Sequence, residues 1–320
     1  MAINTPVAFI IFNRPDVTER VFQVIRDAQP QKLLVISDGP RGDRPGEAER
    51  CAAARAVIDQ VDWECEVLTN YSDTNLGCKH RVSSGIDWVF SQVEEAIILE
   101  DDCLPAPSFF QFCQTLLEKY RYDNRIMMVS GSNFQPNNKM KDSYYFSDCI
   151  HIWGWATWRR AWQHYDVEMA SWPTFRDRGL LKAVCHNPLE ADYWQKNFDD
   201  VSNRTVDTWD HQWVYACWQQ SGMSVTPAVN LVSNIGFRHD ATHTFGESPL
   251  AAMPIGNIYN IKHPIFVLND QEADDYVFSN VFGGRTTKFK TIADRVVRLL
   301  AKLRRYWVKS WMAIKNHQTV

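Results

Sequence analysis

The chain lacks most of the features that assign a sequence to a class at once. It has no run of about 18 apolar residues, so no membrane-spanning helix is expected. No basic stretch precedes the short apolar run in "MAINTPVAFIIFNRPD", so no secretory signal is expected either. There is no C-x-x-C pair. The eight cysteines (Cys51, Cys65, Cys78, Cys103, Cys113, Cys149, Cys185 and Cys217) are scattered, which argues against a zinc site and predicts reduced thiols in a cytoplasmic protein. Positive charge is not in excess: the net charge is −4, so nothing global points to nucleic acid. An anionic ligand would need local basic groups or a metal. No G-x-G-x-x-G follows the first apolar run and no G-x-x-x-x-G-K-[ST] occurs, which excludes the dinucleotide fingerprint and the P-loop. Internal repeats and low-complexity segments are also missing.

What is present is enough for a substantial core. The 320 residues are 45% hydrophobic and 13% aromatic, which suits one large domain or two small ones. The first hundred residues alternate between two periodicities. "VAFIIF" (7–12), "KLLVISDGPRG", "CEVLTNY" and "EAIILE" read as strands. Between them, "RPDVTERVFQVIRDA", "EAERCAAARAVIDQV" and "NLGCKHRVSSGIDWVF" read as helices, the first with Asp16 and Glu19 spaced as a capping box. Strand–helix alternation predicts a mostly parallel central sheet flanked by helices, with ligands gathering at the carboxyl ends of the strands. Arg14, Asp38, Asn75 and the run Glu100-Asp101-Asp102 all fall just past predicted strand ends.

The second half changes character. "FSDCIHIWGWATWRRAWQHY" (146–165) is dense in tryptophan, and "VDTWDHQWVYACWQQSG" (206–222) reads as an aromatic helix. "VTPAVNLVSNIGF" (225–237) reads as strand and turn, and "RHDATHTFGESPL" (238–250) as a polar loop. Beyond Lys288 the sequence is a basic amphipathic helix. It either lies on an anionic membrane surface or packs on the protein or a second copy.

The acid run carries the most chemistry. Three adjacent carboxylates repel one another unless a cation neutralises them, and Mg²⁺ or Mn²⁺ prefers such oxygens while bridging to substrate phosphates. The alternative is a solvated turn in which an Asp caps the helix containing Phe109 and Phe110.

In its ordered set of motifs the chain resembles the nucleotide-diphospho-sugar transferases of the GT-A fold. The carrying stretches are "FIIFNRPDVTERVFQVI", "LVISDG", "NLGCKHRVSSGIDWVF" and the acid motif at the fourth strand. Within that fold it is most similar to the N-acetylglucosaminyltransferase I group, through Glu100-Asp101-Asp102, "CLPAPSFFQFC", "MMVSGSNF" (127–134), Gly154-Trp155 and Trp209-Asp210. The match covers roughly residues 5 to 245. It implies a GT-A glycosyltransferase domain over 1–285, divided into a nucleotide-binding half (1–105) and an acceptor-binding half (106–285), followed by the basic helix at 286–320.

The resemblance implies a metal-dependent, inverting transfer from a UDP-sugar, such as UDP-N-acetylglucosamine, to a hydroxyl of a glycan or lipid-linked acceptor. Asp102 would be the direct ligand of Mn²⁺ or Mg²⁺. Asp101 and Glu100 would sit on ribose and donor sugar, or behind the ligand. Arg14 would reach the diphosphate or the sugar, and Asp38 would accept from the uracil imide. Asn75 and Lys79 would contribute at a helix N-terminus, or else form a turn and a solvated lysine. Asp210, next to Trp209, is the expected base, with Asp207 second. Trp153 and Trp155 would stack on the acceptor or wall the core. His239 and His243 sit on a candidate lid. The other functions weighed are a sugar-nucleotide pyrophosphorylase, whose glycine-rich signature "FNRPDV" lacks, and an inactive binding relative.

Overall fold

A computed structural model of the chain describes residues 2–135, 140–237 and 248–283. His239, His243 and the basic segment 286–320 lie outside the described residues. The elements run β1 (Val7–Ile11), α1 (Pro15–Ala28), β2 (Lys32–Ser37), α2 (Glu47–Ala56), β3 (Glu66–Tyr71), α3 (Gly77–Gln92) and β4 (Glu95–Glu100). Next come β5 (Cys103–Pro105), α4 (Ser108–Tyr120), β6 (Ile126–Ser130), β7 (Tyr144–Ser147), β8 (Trp155–Trp158), α5 (Arg159–Trp162) and α6 (Trp172–Asp177). The chain continues through α7 (Pro188–Ser202), α8 (Asp210–Gln219), β9 (Met223–Pro227), β10 (Val232–Asn234) and α9 (Gln271–Asn280).

The main sheet has the order β3-β2-β1-β4-β8-β6-β9-β7. β1 to β4 pair in parallel, β8 is antiparallel to both β4 and β6, β9 is parallel to β6, and β7 closes the edge antiparallel to β9. The expected α/β class, with a mostly parallel sheet flanked by helices, is what the chain adopts. β8 is the reversed strand in the middle, and it is the tryptophan-rich "WATW".

Strand composition explains the layering. Along β1, β2 and β4 consecutive apolar residues feed opposite faces. Val7, Phe9, Leu33, Val35, Ile97 and Leu99 join one core, which α1 and α4 cover; Ala8, Ile10, Leu34, Ile36, Ala96 and Ile98 join the other, which α3, α7 and α8 cover. Such doubly buried strands read as continuous apolar runs, and the sequence shows them so.

One local expectation is corrected. The capping box from Asp16 to Glu19 does not form. Pro15 takes the first helical position, where its fixed φ suits the helix, so Arg14 is the N-cap and Asp16 lies inside the first turn. Arg14 is thereby placed at the junction of β1 and α1, at the carboxyl edge of the sheet. Among the described residues no helix is long and apolar enough to cross a membrane.

Phe9 is fully buried between β2 and β4. Phe9→Ala should cost about 3–5 kcal/mol of unfolding free energy, read from guanidinium melts. A loss under about 1 kcal/mol would contradict its place in the core.

Candidate functional site

A cavity of about 600 Å³ opens at the carboxyl ends of β1, β2 and β4. Its walls gather residues far apart in sequence: Phe12 and Arg14 after β1, Asp38 and Arg41 after β2, Asn75, Gly77, Cys78 and Arg81 at the start of α3, and the acid run after β4. Trp153 and Asn234 come from the second half, together with Asp207, Thr208, Trp209, Asp210 and His211 at the start of α8. The size is in the range of small-molecule sites. A second groove of about 700 Å³ runs along α2 and the outer strand β3, where Asp59 is its only acid.

The acid run turns sharply between β4 and β5. Arg14 spans it: one guanidinium nitrogen bonds Asp101 and, at 2.9 Å, Asp102 Oδ2. The Phe12 amide donates to Asp101 Oδ2 at 3.4 Å. The small antiparallel pair β5–β10 fixes the turn from below, aligning Cys103 with Asn234, and the Ile235 amide donates to the Asp102 carbonyl at 2.8 Å. Gly236 lies directly against Asp102. A Cβ there would stand 2.0 Å from Asp102 Oδ2, so only glycine fits.

Burial and like charge act together here. Desolvation, then Asp102 and Asp101, hold the Glu100 carboxyl well above its usual range, and no hydrogen-bond donor offsets this among the described residues. Burial also raises Asp101, although Arg14 pulls the other way. Burial opposes the charged form of Arg14, but Asp101 and Asp102 outweigh it and push the guanidinium higher. The Cys78 thiol is raised as well, first by desolvation and then by Glu100, Asp210, Asp207 and Asp38.

Asp38 lines the cavity, yet both its oxygens are engaged within the protein. The Gly39 and Leu76 amides reach Oδ1 at 2.9 Å, while Asn75 Nδ2 and the Gly77 amide reach Oδ2 at 2.9 and 3.1 Å. Asn75 also donates to the Gly39 carbonyl at 3.0 Å. The two residues therefore tie the loop after β3 to the end of β2. Gly39 permits this approach, since a Cβ there would meet the Thr74 backbone at 2.5 Å. Arg81 donates to the Ser37 carbonyl and to Asn70, and Arg41 grips the buried Glu47.

Asp210 opens α8 and lines the same cavity as the acid run. Its Oδ1 accepts from the Thr208 hydroxyl and, at 2.8 Å, from the His211 amide. Behind it lies an aromatic bed. Trp209 stacks on Trp155 at 5.9 Å, and Trp155 packs in turn against Trp162 and Trp213. Trp155 is 1% exposed on β8 and belongs to the core, which was one of its two expected places; Trp153, two residues earlier, reaches the cavity. Lys79 does not line the cavity. It is buried on α3 and faces Glu168 at 3.5 Å. Arg14, Asp38, Asn75, Glu100, Asp101, Asp102, Trp209 and Asp210 are brought together, as are Asp207 and Trp153.

Sequence reasoning missed Phe12, Arg41, Cys78, Thr208, His211 and Asn234 with Gly236. Thr208 and His211 were within reach, as the neighbours of Asp210. Asn234 and Gly236 carry no local signal, because only the β5–β10 pairing brings them under the acids.

No protein-family model and no curated protein matches the sequence. Solved structures with a similar outline include "4-diphosphocytidyl-2C-methyl-D-erythritolsynthase" from Anaerococcus prevotii at 12% identity and TM-score 0.32, covering 61% of this chain and 83% of the other. An inositol-1-phosphate CTP transferase from T. maritima matches at 8% identity and TM-score 0.30, over 51% of this chain and 74% of the other. A UDP-glucose pyrophosphorylase complexed with UDP-glucose matches at 9% identity and TM-score 0.25, over 42% of this chain and 66% of the other.

Arg14→Met would strip the acid run of its only ion-pair partner among the described residues. In chelator-treated protein near neutral pH this should cost about 3–5 kcal/mol, because buried charges lose their counter-charge. The pH dependence has a definite sign. Glu100 and Asp101 are raised in the fold, so the native state binds more protons than the unfolded chain, and stability falls as pH rises from the ordinary carboxylate range toward neutral. The variant should steepen that fall, so melts at pH 5 and pH 7 should differ more for Arg14→Met than for wild type. Equal differences would show that Arg14 does not neutralise the run.

Proposed function

We propose that the cavity binds a nucleotide-diphosphate sugar with a divalent cation and transfers the sugar to a neutral hydroxyl. The carrying observation is the charge balance of the wall. Asp38, Glu100, Asp101, Asp102, Asp207 and Asp210 face Arg14, Arg41 and Arg81, six carboxylates against three guanidinium groups. Arg41 and Arg81 are already engaged by Glu47, a backbone carbonyl and Asn70. A diphosphate would be repelled from such a wall unless a cation entered with it.

The residues fit a hard divalent ion. Carboxylate oxygens are its preferred donors, and Glu100 meets no competing hydrogen-bond donor among the described residues. Glu100, Asp101 and Asp102 would hold it, Asp102 as the direct ligand. When bound, a cation such as Mn²⁺ or Mg²⁺ stabilises the charge of the departing diphosphate.

The rest of the chemistry belongs to the chain. Arg14 keeps Asp101 and Asp102 turned to the cavity and presents a fixed positive charge at its phosphate end. Asp38 and Asn75 shape the base end with Phe12 and Arg41, by holding the loop at residues 74–77 in place. Asp210 accepts the proton of the acceptor hydroxyl as that oxygen attacks the anomeric carbon. Thr208 and the His211 amide hold one of its oxygens, which leaves Oδ2 for the proton. Trp153 and Trp209 give the sugar an apolar wall that keeps water out. A single base facing the acceptor makes the reaction inverting. The donor proposed first is UDP-N-acetylglucosamine, on the motif resemblance alone.

The second reading is formation of the sugar nucleotide itself, and the names of the similar solved structures stand nearer to that reaction. Its nucleophile is an anionic sugar phosphate, which the acidic wall at Asp207 and Asp210 would disfavour; a neutral hydroxyl meets no such penalty.

One assay separates the two. The full chain is incubated with Mn²⁺ and a panel of UDP-, GDP- and dTDP-sugars, and nucleoside diphosphate release is followed with water or added glycans as acceptor. In parallel, pyrophosphate release from nucleoside triphosphates with sugar 1-phosphates is measured. The expected outcome is diphosphate release from a UDP-sugar that stops in EDTA and falls about 10²–10⁴-fold in Asp210→Asn. Pyrophosphate release alone would overturn glycosyl transfer in favour of the second reading. Full activity in Asp210→Asn would remove the base assignment.

A further inference from the structure

A second group of ligand-type side chains lies away from the cavity. Asp148 follows β7, His186 precedes α7, and Asp274 sits in the first turn of α9. One donor atom of each lies within 4.8 Å of the others. Three segments distant in sequence thus converge an imidazole and two carboxylates, the donor set of first-row divalent ions such as Zn²⁺.

The surroundings of the imidazole support a ligand there. Nε2 faces Asp148 Oδ2 at 3.5 Å, and Nδ1 faces Asp275 at 3.9 Å. Nδ1 is buried with no hydrogen-bond partner. A metal-bound histidine turns its other nitrogen toward a carboxylate, and Asp275 stands in that place. Asn269 supplies a separate sign. Its amide nitrogen donates to Asp148 and lies 3.5 Å from His186 Nε2, while its Oδ1 is buried with no donor. Turning the amide over would bring that oxygen to the centre of the group as a fourth ligand.

Charge points the same way. Asp148, Asp274, Asp275 and Glu190 surround a single histidine, and none of the four pairs with a lysine or arginine among the described residues. Burial holds both Asp148 and Asp274 above the usual carboxylate range. Asp274 is further oriented by the Ser147 hydroxyl and, at 3.0 Å, the Asp148 amide, the kind of outer support that fixes a ligating carboxylate.

We infer that Asp148, His186 and Asp274, with Asn269, form a structural site for a first-row divalent cation, Zn²⁺ in the first instance, that clamps α9 and the approach to α7 onto the edge strand β7. This site is independent of the cation proposed at Glu100–Asp102 and would stand if that reading failed.

The test uses chelator-stripped full-length protein titrated with Zn²⁺ and with Co²⁺, reading metal stoichiometry, melting temperature and the visible Co²⁺ spectrum. Asp102→Asn should keep the Zn²⁺-dependent rise in melting temperature and the Co²⁺ bands. His186→Gln should lose both and bind Zn²⁺ at least about 100-fold more weakly, and Asp275→Asn should weaken it about 10- to 100-fold. Asp274→Asn is the second ligand variant, should His186→Gln fail to fold. The inference is overturned if His186→Gln and Asp274→Asn bind Zn²⁺ like wild type. It is also overturned if Asp102→Asn abolishes the Co²⁺ bands, or if wild type binds only at millimolar Zn²⁺. A melting temperature that drops equally in His186→Gln with and without metal would show a plain histidine–carboxylate ion pair instead.

Discussion

Three carboxylates at the end of one buried strand set the terms for the rest of this molecule. They cannot be hydrated there as they would be on a surface, and they cannot ignore one another. Arg14 supplies one positive charge from the N-cap of α1, between the end of β1 and Pro15. The remaining excess is left to the cavity; burial first, and the neighbouring acids after it, raise Glu100, Asp101 and the thiol of Cys78. Under the proposed function, a wall of that sign would favour cations, and anions in their company.

The two halves of the chain divide the work. The first lays four parallel strands side by side, so that their carboxyl ends present the acids, Asp38 and Arg14 on one edge. The second sends the reversed strand β8 into the sheet beside β4 and fills the space above with tryptophans. That aromatic mass is the floor on which Trp209 rests, and Trp209 sets the start of α8 and hence Asp210. Much of the tryptophan content therefore serves rigidity.

The alternation of "VAFIIF", "KLLVIS" and "EAIILE" with amphipathic stretches made the parallel part of the sheet readable, because strands buried on both faces must be continuously apolar. That the acids and Arg14 would stand at the sheet's carboxyl edge was readable because strand ends are local features, whereas Asp210 was singled out by resemblance alone. The surroundings of Asp38 and Lys79 were not readable. Asp38 stands past a strand end in sequence, and only the fold shows four donors closing on its carboxylate. Lys79 directly follows Cys78 and Trp155 lies two residues after Trp153, both of which line the cavity, a difference that periodicity alone does not resolve. The reversed direction of β8 was also hidden, since strand direction leaves no mark on composition.

Gly236 gives the acid turn a property beyond its shape. The backbone there touches Asp102 because β10 runs in one fixed alignment with β5, Asn234 opposite Cys103. A slip of that pairing by one residue would bring Ile235 or Phe237 to the contact and drive a bulky side chain into the carboxylate. What the contact at Gly236 fixes is thus the alignment of β10 on β5, and not the length of chain between them. Insertions and deletions in that stretch have room only where the chain can loop outward without dragging β10 along its partner.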